Sequence, residues 1–195
     1  MNEYLKKNNL EKKDSIICVS GGPDSTYLAI MIKKFTNANH SLLYVNHKQR
    51  PNENKNEIAL INELGKKLDM KVIIESIKKI DKLTQESFRA ERHKIIKEIS
   101  KKLNIKTIYT GHNMDDDVET LFFQLSKGAT RHLRGMLSKT EFDGYTIYHP
   151  MLTTTKKEIV NYLNKKNEHY CIDSSNNSTK YTRNNLRKLL TEFYK

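Results

Sequence analysis

Ser20, Gly21, Gly22, Pro23, Asp24 and Ser25 follow one another and combine two glycines, two hydroxyls and a carboxylate. Glycine lets the backbone bend sharply and turn its N–H groups towards a ligand. A β-rich run precedes these residues and an amphipathic run follows them. A helix starting at about Asp24 or Ser25 therefore aims its N-terminus at the same point, where an anion is favoured. Exposed N–H groups, a helix N-terminus and two hydroxyls make a phosphate cradle. It is not a Walker A loop, because the spaced Gly-Lys-Ser/Thr is missing. A carboxylate beside bare phosphates is repelled, so Asp24 implies a metal ion or a cationic reactant in the same site. A plain strand–turn–helix corner with Asp24 as N-cap would use some of these residues, but not the whole combination.

A second chemical segment runs GHNMDDDVETLF from Gly111. A helix beginning near Met114 places Asp115 and Asp116 in its first turn, where carboxylates suit the dipole. Asp116 and Glu119 are three apart and share a face, and Asp115 and Glu119 are four apart. Val118, Leu121, Phe122 and Leu125 form a stripe expected to pack this helix on a sheet. Such an acidic cluster beside a phosphate loop can hold Mg²⁺ or receive an ammonium group. Ordinary enrichment of acids at a helix start is the plainer account. His112 lies just before the cluster, and His47 and Arg50 follow an earlier β-rich run.

Of the 35 Lys and Arg side chains only seven are Arg. Six of them form the pairs Arg89/Arg92, Arg131/Arg134 and Arg183/Arg187, spaced by three or four residues. In a chain whose default cation is Lys, paired Arg marks sites that need a planar, bidentate donor for phosphate or carboxylate.

These residues need a frame to position them. The runs Ser15–Ser20, Ser41–Asn46, Lys71–Ser76, Thr107–Gly111 and Gly144–Pro150 read as strands, separated by stretches of helical periodicity. Alternation of this kind predicts an α/β fold, a parallel sheet with helices on both faces, followed by a short C-terminal helical region. Ligands of such sheets sit at the carboxyl ends of the strands, where the phosphate loop, His47, His112 and the acidic cluster all fall. At 195 residues the chain is expected to form a single domain, with 151–195 as its helical extension. The formal net charge of +12 favours a polyanionic partner, nucleic acid or an anionic surface. Cys18 and Cys171 are far apart in sequence, so no disulfide framework, zinc ribbon or iron–sulfur cluster is expected. Neither a secretory signal nor a membrane span is expected, and the cytoplasm, or the equivalent compartment of an organelle, is the expected location.

In order along the chain, SGGPDS, VNHKQR, ESFRAERH, GHNMDDDVET, KGATRHLRGM, HPML and DSSNNSTKYTRNNLR resemble the motifs of the tRNA(Ile)-lysidine synthetases, within the ATP-pyrophosphatase loop superfamily. His93 and His149 stand where Tyr and Arg are usual. The resemblance implies an adenine nucleotide α-hydrolase-like fold and a two-step ligation. ATP adenylates the C2 oxygen of the wobble cytidine in a CAU-anticodon tRNA(Ile), and free lysine then displaces AMP to give lysidine. It implies ATP and Mg²⁺ as cofactors, and Asp24, Asp116, Glu119 and Arg92 as catalytic residues. Ser20, Gly21, Gly22, Pro23, Asp24, Ser25, His47 and His112 would bind the nucleotide. Arg50, Arg89, Arg131, Arg134, Arg183 and Arg187 would contact RNA or phosphate, and Asp24 and Asp116 would hold the metal. The family's usual C-terminal tRNA-binding domains are expected to be absent, because the chain stops at Lys195. A homo-oligomer is compatible with all of this.

Overall fold

The computed structural model describes residues 1–46, 51–77, 84–129 and 133–171. The elements in chain order are α1 (Asn2–Lys7), β1 (Ser15–Val19), α2 (Pro23–Phe35), β2 (His40–Asn46), α3 (Pro51–Leu68) and β3 (Lys71–Ser76). They continue with α4 (Gln85–Leu103), β4 (Thr107–Tyr109), α5 (Met114–Ser126), β5 (Lys139–Phe142), β6 (Tyr145–Tyr148) and α6 (Lys156–Lys165). One six-stranded sheet has the order β3-β2-β1-β4-β6-β5. The first five strands in that order run parallel, and β5 is antiparallel to β6. The sheet grows from β1 towards β2 on one side and β4 on the other. Its topological switch point therefore lies between β1 and β4, at the end of the phosphate loop.

Both faces of the sheet are covered. Ile17 and Val19 of β1, Leu42 and Tyr44 of β2 and Tyr109 of β4 pack with Leu28, Ala29 and Ile32 of α2, Ile61 and Leu64 of α3, and Ile159 and Leu163 of α6. On the other face Ile16, Leu43, Val45 and Ile108 meet Ile95, Ile96 and Ile99 of α4. Successive strand residues point to opposite faces, so the continuous apolar runs of β1 and β2 feed both cores. α6 lies at the start of the predicted extension. It belongs to the first core, and its Tyr162 meets Tyr27 of α2 edge-on at 5.2 Å.

Three expectations change. Strand ends are shorter than the apolar runs: β1 stops at Val19, β4 at Tyr109, and β6 covers only Tyr145–Tyr148. The loop residues that follow β1 and β4 leave the ladder to face the site. β5 was not anticipated, because its four residues KTEF are mostly exposed and carry two charges, as edge strands do. The Asp143-Gly144 turn between β5 and β6, with Gly144 at φ +90°, is a hairpin signal in the sequence. Finally, the stripe on α5 does not join either core. Phe122 and Leu125 are 40% and 46% exposed, and Glu119 is the buried residue of that helix. Periodicity identifies one side of a helix but not what stands opposite it.

Candidate active site at the phosphate loop

The loop after β1 folds as its residue types demand. Gly21 has φ +78°, a left-handed conformation suited to glycine. Gly22 is the N-cap of α2 and Pro23 its first residue, where a missing N–H costs nothing. Asp24 is thus the second residue of the helix, not its cap. Ser25 Oγ donates to Gly22 O at 3.1 Å, accepts from the Ser20 N–H at 3.1 Å, and lies 3.3 Å from Ser20 Oγ. The two hydroxyls are held together at the mouth of the loop. Gly111, just past β4, comes so close that a Cβ there would sit 3.2 Å from Asp24 C and Ser25 N.

The acidic segment arrives beside this loop through Asn113. It is the N-cap of α5 and closes a capping box: its Oδ1 accepts from the Asp116 N–H at 3.1 Å, and its own N–H donates to Asp116 Oδ2 at 3.0 Å. Asn113 Nδ2 also donates to Asp24 Oδ1 at 3.1 Å. One asparagine thereby links Asp24 and Asp116, whose neighbourhood sequence reasoning inferred only from strand ends. Glu119, buried, lies one turn further along α5. Asp117 turns away and accepts from the Met136 N–H at 2.5 Å, anchoring the loop that carries Arg134.

A third helix completes the arrangement. Thr155 is the N-cap of α6, and its side chain forms a capping box with Glu158. The Lys156 N–H donates to Asp115 Oδ2 at 2.8 Å, and Met114 N donates to Thr154 O at 3.0 Å. Lys156 Nζ forms an ion pair with Asp24 Oδ2 at 2.5 Å. The N-termini of α2, α5 and α6 therefore converge on one place, and each adds positive potential there. Lys156 is a residue that sequence reasoning missed. Its signal was a cation in the first turn of a helix, the end where a cation is unfavourable.

At the ends of β4 and β6, Thr110 Oγ1 lies 3.1 Å from His112 Nδ1 and 2.7 Å from His149 Nδ1, and the two ring nitrogens are 3.1 Å apart. Burial, then the His112 charge and the Arg89 guanidinium, push His149 down to about 4. His149 is therefore neutral at pH 7, and the pair shares polar hydrogens instead of repelling. Arg89 and Arg92 are exposed on α4; both depress His93, and Arg92 acts on Cys18 at the end of β1. Arg134 is exposed on the loop after α5. His47, Arg50, Arg131, Arg183 and Arg187 lie outside the described residues.

Among the described residues no group of three or more His, Cys, Asp or Glu side chains is arranged to hold a metal. Asp24 and Asp116 are hard oxygen donors tied to the same asparagine. They suit an ion that takes one or two carboxylates and completes its shell with phosphate oxygens and water, as Mg²⁺ does.

Residues 1–193 match the family model of the PP-loop domain. The chain is 33% identical over 190 residues to a tRNA(Ile)-lysidine synthase of Mycoplasma mycoides, covering 94% of this chain and 47% of that protein. It is 30% identical to a bifunctional protein TilS/HprT of Listeria innocua, covering 99% of this chain and 32% of that one. The chain thus spans about half, or less, of the length of these curated relatives. Among solved structures, the U34-tRNA thiolase NcsA of Methanococcus maripaludis superposes with TM-score 0.79 at 16% identity, over 98% of this chain and 71% of that one. The NH3-dependent NAD synthetase of Campylobacter jejuni superposes with TM-score 0.54 at 19% identity, over 100% and 80%. At such identities the likeness is one of fold.

Proposed function

The chain belongs to the PP-loop domain family, and from that premise we propose that it uses ATP to modify tRNA, joining lysine to C2 of the wobble cytidine of a CAU-anticodon tRNA(Ile). The observation that carries this reading is the junction of the Ser20–Ser25 loop with the acidic start of α5 through Asn113. It supports an anion cradle that shares its place with carboxylates for a cationic partner. In the first step the cytidine O2 attacks the α-phosphorus and pyrophosphate leaves. In the second the lysine ε-amine attacks C2, loses a proton, and AMP departs with the original oxygen.

Ser20, Ser25 and the backbone N–H groups of the loop bind the leaving pyrophosphate portion. Attack at the α-phosphorus makes pyrophosphate the leaving group, so the bond that breaks lies between the α- and β-phosphates and not at the γ-phosphate. Asp24 and Asp116 hold Mg²⁺, which when bound neutralises charge developing on the leaving group. Glu119 orients the lysine amine for attack. His112 lies next to the nucleotide, its Nδ1 committed to Thr110 and His149. Arg92 and Arg89, with Arg134, take phosphate or RNA. The homologues named as tRNA(Ile)-lysidine synthases support this substrate. A thiolase chemistry is disfavoured, since Cys18 and Cys171 are isolated and burial pushes the Cys18 thiol up to about 11.

The test is to incubate the chain with ATP, lysine and CAU-anticodon tRNA, then analyse both nucleotides and digested nucleosides. AMP with pyrophosphate and a lysine-bearing cytidine are expected. Release of ADP, or unmodified cytidine after ATP turnover, would overturn the reading.

A further inference from the structure

Lys156 is bound where its charge is least at home. It is the first residue of α6, at the positive end of that helix, and two more helix N-termini point at the same spot. Its backbone is pinned, because its N–H donates to Asp115 Oδ2 at 2.8 Å. Its ammonium reaches Asp24 Oδ2 at 2.5 Å, while Asn113 holds Asp24 Oδ1. The other charged residues of that turn are turned elsewhere: Glu158 caps Thr155, and Lys157 is exposed. Asp24 therefore has both oxygens engaged, one by a neutral amide and one by a tethered cation.

We propose that Lys156 is an exchangeable counter-ion that closes the Asp24 carboxylate until nucleotide arrives, so that cation binding at Asp24 is coupled to nucleotide binding. The inference rests on the reading that phosphates enter the Ser20–Ser25 loop. Incoming phosphate offers the ammonium a stronger partner in the field of three helix N-termini. Lys156 turns from Asp24 Oδ2 to a phosphate oxygen, the ion pair opens, and the carboxylate is released to a cation. The exchange is feasible because the pair is part-exposed, with side chains 41% and 29% accessible. Pairs at that exposure are weak and replaceable. The side chain alone turns, since the backbone of Lys156 stays anchored on α5 through Asp115.

The experiment measures two affinities separately on the full chain, for wild type, K156M, K156Q and K156R, with circular dichroism to confirm folding. Mn²⁺, as a probe for Mg²⁺, is titrated by electron paramagnetic resonance without nucleotide. ATP is titrated by calorimetry without metal. K156M and K156Q are expected to bind Mn²⁺ about twofold to fivefold more tightly than wild type, because the competing ammonium is gone. Their ATP affinity is expected to fall roughly tenfold, the loss of one charge-assisted hydrogen bond. K156R keeps the charge and is expected to match wild type in both. Unchanged Mn²⁺ affinity in K156M and K156Q would overturn the latch, as would unchanged ATP affinity. A wild-type chain that binds no ATP would overturn the underlying nucleotide reading as well, which separates the two failures.

Discussion

Asp116 shows how one carboxylate can serve both helix and site. Its Oδ2 caps the Asn113 N–H, and the same group is proposed to hold metal. The two roles differ in what Asp116→Asn does. Asparagine still accepts a hydrogen bond at the cap, so stability should change by less than about 1 kcal/mol. A lost charge-assisted interaction in the transition state is worth about 2–4 kcal/mol, or roughly 30- to 1,000-fold in rate. Asp116→Asn is therefore expected to melt near the wild-type temperature and to form almost no lysidine. Glu119→Gln is expected to slow the reaction similarly. Extra lysine should partly restore it if Glu119 holds the amine, and extra Mg²⁺ if it holds metal. Turnover close to wild type in both variants would reduce the cluster to a helix start.

Between elements, the decisive contact is the approach of β4 to the start of α2. An alanine Cβ at Gly111 would lie 3.2 Å from backbone atoms of Asp24 and Ser25. Backbone cannot yield as a side-chain tip can, so Gly111→Ala must displace the phosphate loop. Overpacking of this kind costs about 1–3 kcal/mol. ATP should raise the melting temperature of wild type and raise that of Gly111→Ala much less. An equal rise in both would mean that the close approach does not shape the nucleotide site. Leu125→Ser on the uncovered side of α5 is the contrast, since Leu125 is 46% exposed. It should change stability by less than about 0.5 kcal/mol and leave the ATP effect intact. The onset of α5 was legible in sequence because caps are local: Asn113 and Asp116 are three residues apart. The exposure of its stripe was not, because burial depends on what the rest of the chain places opposite.

For the molecule as a whole, the +12 charge is the property a polyanion would sense. Each phosphate neutralised should add roughly 0.7–0.9 to the negative slope of log affinity against log salt. A filter-binding titration of CAU-anticodon tRNA across salt is expected to show a steep fall. A flat line would remove nucleic acid as the partner. Among the described residues no helix is long and apolar enough to cross a membrane, and the apolar runs of β1 and β2 are instead spent on the two cores of the sheet.

Residues close together in the chain carry the Ser20–Ser25 turn, the strand–helix alternation, the onset of α5 and the match to the PP-loop domain family. These depend on spacing over a few residues: glycine where φ must be positive, a cap three residues before its partner, apolar positions at period two or 3.6. Tertiary structure alone decided what meets Asp24. Asn113 and Lys156 are 89 and 132 residues away along the chain. They arrive because β4 pairs with β1 and β6 with β4, which carries the starts of α5 and α6 to the same edge. The same pairing sets Thr110 and His112 against His149. No local propensity encodes such meetings, since they follow from the order in which strands are laid side by side.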